Sequence, residues 1–265
     1  MKISTFYNHV ADAAKQQGVS LEEMMLRVKA LGIDYLEMDL SVAGHIEETA
    51  ALLDKVGIRA SNICVNYEWG KDPEDMLDDV QIRMAKAFHS DKIMPIPGLY
   101  SSEARDPKEL ENMLQGMKTL AAKAEAEGLG ICIEDYDTVL SPIATMGGMK
   151  YFLDRIPNLK VAFDTGNFAY VCEDVLEAYR LFSDRIIHMH LKDRSNAETS
   201  GKPKKRIDGV QMYSCSVGSG DLPLGEVIKD LQQNGYDGIC TLEFYDVKDY
   251  WKCIQESVSF VKQFA

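Results

Sequence analysis

The chain has 265 residues, 46% hydrophobic and 27% charged, ordinary globular values in a chain long enough to bury a core without disulfides or a structural metal. A net charge of −13, with one tight basic cluster (Lys202, Lys204, Lys205, Arg206), argues against general affinity for nucleic acid, which needs a basic face. No apolar stretch reaches the roughly 18 residues of a membrane span, and six cysteines without metal-type spacing read as buried thiols in a reducing compartment.

In chain order, short apolar runs alternate with longer amphipathic ones. The N-terminal run, Lys2 to Tyr7, reads as a strand and not as a signal peptide, so a cytoplasmic enzyme is expected. Ser20-Leu21-Glu22-Glu23 is a capping box that opens a helix, and Gly32 precedes the next strand, Asp34 to Leu40. Gly57 ends a further helix before a strand at Arg59 to Asn66. Asp72-Pro73 and Asp106-Pro107 each place an N-cap before proline at the first helical position, with Glu109 completing a capping box at the second. Between them lies the strand Lys92 to Pro97. Gly128 then precedes Gly130 to Asp135, which is followed by strands at Lys160 to Asp164 and Arg185 to Leu191. Gly235 precedes the eighth, Gly238 to Phe244.

Near-continuous apolar runs suit parallel strands covered on both faces. Strand starts recur at about 25 to 38 residues, one βα unit each. Eight units in this length predict one α/β domain over residues 1–265, a (β/α)8 TIM barrel of the usual size of about 250 residues. An open doubly wound sheet is the alternative, weakened by the lack of a Gly-rich fingerprint after the first strand. One interval is longer: strand seven to strand eight spans about 53 residues. The excess, Lys192 to Leu222, is an extended loop on the catalytic face of a barrel. It holds the basic cluster and Gly218-Ser219-Gly220-Asp221, and reads equally as a substrate-contacting lid or a solvated insertion.

Strands five to eight end in Ile133-Glu134-Asp135, Ala162-Phe163-Asp164, His188-Met189-His190 and Thr241-Leu242-Glu243. A charged group ending an apolar strand is costly unless paired, hydrated or bound to metal, and four in consecutive strands exceed chance. Neighbouring strands lie about 4.8 Å apart, so inward residues at matching heights converge. Glu134, Asp164, His190 and Glu243 would then offer three carboxylates and one imidazole to a divalent ion. That set suits Mn²⁺ first, with Mg²⁺, Co²⁺ or Zn²⁺ as alternatives.

These motifs, together with Phe163-Asp164-Thr165-Gly166-Asn167, His188-Met189-His190-Leu191-Lys192-Asp193 and Gly218-Ser219-Gly220-Asp221, resemble the xylose isomerase-like TIM barrel superfamily over the whole chain. The resemblance is nearest to the sugar phosphate isomerase/epimerase group and implies a carbohydrate-metabolising isomerase or epimerase. It implies that Glu134 and Glu243 ligate the metal and also exchange the substrate proton through an enediolate, while Asp164 and His190 only hold the metal. The same scaffold carries metal-dependent lyases, such as inosose-type dehydratases, so a lyase is the alternative. The chain departs from many relatives in having Asn167 where they have histidine. Asparagine hydrogen-bonds a hydroxyl but carries no charge.

Lesser candidates follow from position. His188 lies one layer below His190 on the same inward face, as a core histidine or a substrate contact, and Lys192 lies one layer above. Glu37 ends strand two and reaches toward the cavity, either for substrate or for a salt bridge. With Asn167, these three form the predicted substrate-binding set. His9, His45 and His89 read as surface or loop residues, and Trp69 as a wall against a sugar face or as packing. The expected partner is a small carbohydrate, with no nucleic acid and no membrane, and a homo-oligomer stays open. An apurinic endonuclease, which the resemblance also includes, would need more than five histidines and a basic groove. A non-catalytic sugar-binding barrel is opposed by the intact set of four ligands.

Overall fold

A computed structural model describes residues 1–264. The barrel strands are β1 (Lys2–Phe6), β2 (Ile33–Met38), β3 (Arg59–Asn66), β4 (Lys92–Ile96), β5 (Gly130–Glu134), β6 (Lys160–Asp164) and β7 (Ile186–Lys192). Three short strands follow within the extended loop: β8 (Arg194–Ser195), β9 (Pro203–Lys205) and β10 (Gln211–Ser214). The last barrel strand is β11 (Ile239–Glu243). The eight close into a parallel barrel in the order β1-β11-β7-β6-β5-β4-β3-β2. Each predicted strand is present to within two residues at either end. The apolar runs that marked them are buried on both faces, by interior side chains and by the helices outside.

Side-chain caps open several of the helices. Ser20 accepts from the Glu23 amide (3.1 Å) and opens helix Leu21–Ala30. Asp106 accepts from the Lys108 amide (2.8 Å) and opens helix Pro107–Ala126. Glu109 does not complete a capping box there, because its carboxylate instead accepts from the Ser101 amide (3.0 Å) and ties the preceding loop. The helix expected at Asp72-Pro73 is also absent. Leu77, Asp78 and Asp79 all adopt positive φ (48°, 52° and 56°), and the α-helix starts only at Val80. Consecutive left-handed residues cannot propagate a right-handed helix.

Two further expectations are corrected by packing. His9 is not a surface residue. Helix Tyr7–Gln17 starts directly at the end of β1 and carries the imidazole into the core, where it stacks on Phe244 at 4.6 Å. Burial pushes the ring down to about 3. Trp69 forms no wall for a ligand. It is fully buried, stacked on Tyr67 and pressed on Gly116, where any side chain would meet the indole. Among the described residues no helix is long and apolar enough to cross a membrane.

Candidate metal centre

The register of the barrel decides which strand ends meet. Asp164 on β6 lies opposite His190 on β7, and His190 lies opposite Thr241 on β11. One step further, Lys192 lies opposite Glu243. Because side chains alternate along a strand, His188, His190 and Lys192 all point inward in successive layers. Glu134 arrives from β5. Ligand atoms of Glu134, Asp164, His190 and Glu243 all lie within 4.8 Å of one another, and all four residues are buried.

Each side chain is held by named neighbours. His190 Nδ1 is 2.7 Å from Glu134 Oε1 and 3.0 Å from Glu243 Oε2. Its single hydrogen goes to Glu134, so Glu243 Oε2 is buried without a donor. Asp164 Oδ1 accepts from the amides of Gly166 (2.7 Å) and Asn167 (2.8 Å), while its Oδ2 has no hydrogen bond. Two buried carboxylate oxygens on one side of His190, each near a cationic side chain but without a hydrogen bond, are costly. They fit a divalent cation, as does the donor set of three carboxylates and one imidazole.

Lys192 brings positive charge to the same carboxylates. Its Nζ lies 2.5 Å from Glu243, 3.3 Å from Asp164 and 2.8 Å from Asn167 Oδ1. Burial alone would lower this ammonium, yet Asp164 and Glu243 hold it well above the usual lysine range. Burial pushes the Asp164 carboxyl up to about 7 and raises Glu134 as well. Glu243 goes the other way: despite burial, Lys192 and His190 hold it below the usual carboxylate range. For His190 burial opposes charge, but Glu37 and Glu134 raise the ring well above its ordinary value. Gly166 makes the lysine's position possible, since a side chain there would strike the Lys192 stem.

The cavity above these residues measures about 280 Å³ and is walled by Phe6, Tyr136 and Tyr245, with Glu134, Glu243, Lys192 and Asn167 at its floor. Asn167 borders the cavity, but both its polar atoms are engaged, Oδ1 by Lys192 and Nδ2 by the Asp135 carbonyl (2.6 Å). Glu37 and His188 do not line the cavity, so the substrate contact expected of each is not made. They take the other reading each allowed, a core histidine and a salt bridge within the barrel: they are sealed from solvent and bonded to each other at 2.9 Å.

Of the residues at or near the cavity, Lys202 and Lys204 belong to the basic cluster already noted in the sequence, while Asp135, Asp137, Arg194 and Asp246 were not singled out. Asp135 accepts from the Asp164 amide (3.0 Å) and so supports that strand end. Arg194, Asp137, Lys202, Lys204 and Asp246 form its rim. The one available signal was the alternation beyond His190, which would have placed Arg194 two after Lys192. The extended loop folds as the sheet β8-β10-β9 over the mouth. Four of its basic residues are paired: Lys204 and Arg194 with Asp137 (2.7 and 3.5 Å), Lys202 with Asp246 (2.8 Å), and Arg206 with Asp208 (2.7 Å). The Gly218–Asp221 motif closes the loop's base. Asp193 accepts from the amides of Gly218 (2.9 Å) and Gly220 (2.8 Å), and a side chain at Gly220 would strike Asp193 itself.

Residues 25–264 match the family described as xylose isomerase-like TIM barrel. The inosose dehydratase of Clostridium perfringens is 26% identical over 142 residues, covering 51% of this chain and 47% of that protein. The chain thus spans about half the length of the curated relatives it matches. Among solved structures, a D-allulose 3-epimerase from Methylomonas sp., in complex with D-allulose, superposes with a TM-score of 0.75 at 17% identity, covering 100% of this chain and 97% of that one. The IOLI protein with a bound zinc atom gives a TM-score of 0.71 at 14% identity, covering 100% and 96%.

Proposed function

The chain belongs to the xylose isomerase-like TIM barrel family, and on that premise we propose that it is a divalent-metal-dependent isomerase or epimerase of a sugar or sugar derivative, with all 265 residues acting as one domain. The observation that carries this reading is the pairing of Glu134 and Glu243. Both border the cavity, and both approach His190 Nδ1, from β5 on one side and β11 on the other.

Glu134, Asp164, His190 and Glu243 would hold the ion, Mn²⁺ by preference for this donor set. When bound, a divalent cation polarises a carbonyl and its neighbouring hydroxyl and so acidifies the adjacent C–H. The remaining work falls to the chain. One of the two glutamates removes that proton, and the other returns a proton to the opposite face of the enediolate carbon. Phe6, Tyr136 and Tyr245 offer apolar surface to the sugar ring. Lys192, aimed by Asn167 and Asp164, is placed to donate a hydrogen bond to a substrate oxygen.

A second reading, a lyase, is favoured by the inosose dehydratase activity named for the Clostridium perfringens relative and by the position of Lys192. The same enolisation followed by loss of a β-hydroxyl needs a proton donor at the leaving oxygen, and the ammonium stands at the cavity floor. A screen of ketoses, inososes and 3-keto-glycosides with added Mn²⁺, read by mass and by solvent deuterium, separates the two. Isomerisation conserves mass, and dehydration loses one water. Products free of solvent deuterium would rule out enolisation in either form.

A further inference from the structure

We propose that Glu37 is a positioning residue for the metal centre: it fixes the His190 ring so that Nδ1, and not Nε2, is the atom presented to the cation. The inference rests on the metal-site reading above and names a further residue on which that site depends. Glu37 sits on β2, across the barrel interior from β7, and is sealed from solvent. Its Oε2 accepts from His190 Nε2 (2.9 Å), His188 Nε2 (2.9 Å) and the Thr241 hydroxyl (3.1 Å). Three donors converge on one oxygen.

The consequence for His190 is geometric. Nε2 donates to Glu37, which is not one of the four ligands, and keeps its hydrogen when a cation binds; the hydrogen that leaves is that of the other nitrogen. That other nitrogen, Nδ1, is the one directed at Glu134 and Glu243. A buried carboxylate behind a ligating imidazole also makes the imidazole a stronger donor. The T-shaped contact with Phe6 (5.3 Å) blocks rotation of the ring from its side. Glu37, His188 and His190 also come close enough to be read as ligands of a second cation. Their donor set argues otherwise: one carboxylate whose single oxygen already accepts from both imidazoles and from Thr241 replaces the three converging carboxylates of the upper site.

The test uses the full chain freed of metal and titrated with Mn²⁺ or Co²⁺ by calorimetry. Glu37→Gln keeps the volume but removes the anion, and metal affinity is expected to fall about 10- to 100-fold. Thr241→Val removes one donor to Glu37 and leaves the Glu37–His190 bond, so its affinity should stay within about threefold of the unmodified protein. An independent readout needs no variant. In protein labelled with ¹⁵N at the histidine rings and loaded with ¹¹³Cd²⁺, the cadmium should couple to His190 Nδ1. Coupling to Nε2, or unchanged affinity in Glu37→Gln, overturns the inference about Glu37. Failure of the unmodified chain to bind Mn²⁺, Co²⁺ or Cd²⁺ overturns the metal-site reading itself, and the inference with it.

Discussion

Two lysines lie at opposite ends of the barrel with equally little exposed side chain, 7% each, and very different company. Lys192, at the C-terminal end of β7, faces Asp164, Glu243 and Asn167, all buried. Lys92, at the start of β4, pairs among the described residues only with Asp91, whose side chain is 83% exposed. The difference shows how the barrel divides its labour. At the N-terminal end, a lysine buries its stem and reaches a solvated partner. At the C-terminal end, strand termini press several carboxylates together, and the lysine becomes part of a buried charge cluster.

The largest expected effect tests that cluster directly. Glu243→Gln should lower turnover and solvent-deuterium incorporation by about 10²- to 10⁴-fold, the range lost with a general acid or base, while circular dichroism stays unchanged. Full activity in this variant would remove Glu243 from the proton path. Next, Lys192→Met leaves Asp164 and Glu243 buried without their counter-charge, and should destabilise the metal-free protein by about 3–5 kcal/mol in denaturant titrations. Mn²⁺ should restore part of that loss. Lys92→Met should cost at most about 1 kcal/mol, because its partner is solvated. Equal costs at the two ends would dissolve the contrast.

The pH response sharpens the same point. Burial raises the Asp164 carboxyl from 3.8 to about 7 in the metal-free protein. The folded state therefore holds a proton that the unfolded chain releases, and this contribution to stability is present below pH 4 and lost as pH rises toward 7. Asp164→Asn should flatten that part of the stability curve. Metal binding must displace the same proton, so Mn²⁺ affinity should increase up to about pH 7, with proton release measurable by calorimetry in buffers of different ionisation enthalpy. The smallest effect concerns the rim. Asp137→Asn weakens the partly exposed ties to Lys204 and Arg194 and should raise KM by no more than about fivefold, consistent with pairs worth about 1 kcal/mol or less.

Amino-acid order alone determined the strands, because each had to be an apolar run long enough to cross the barrel and short enough to be punctuated by Gly32, Gly57, Gly128 and Gly235. It also marked Glu134, Asp164, His190 and Glu243, since charge at the end of an apolar strand is conspicuous in one dimension, and the structure brings those four ends together. The depth of His188 was legible from alternation, one layer below His190, but its partner was not. Only the closure of the barrel brought Glu37 on β2 to it beneath the cavity. His9 escaped for the same reason: a lone imidazole has no periodic partner, and its burial depends on β11 arriving from 235 residues away (Phe244 against His9). Local pattern decides what a segment becomes. Which nitrogen of His190 faces the cavity, and which lysine joins the carboxylates, depends on strand register and ring orientation, which exist only once the barrel is closed.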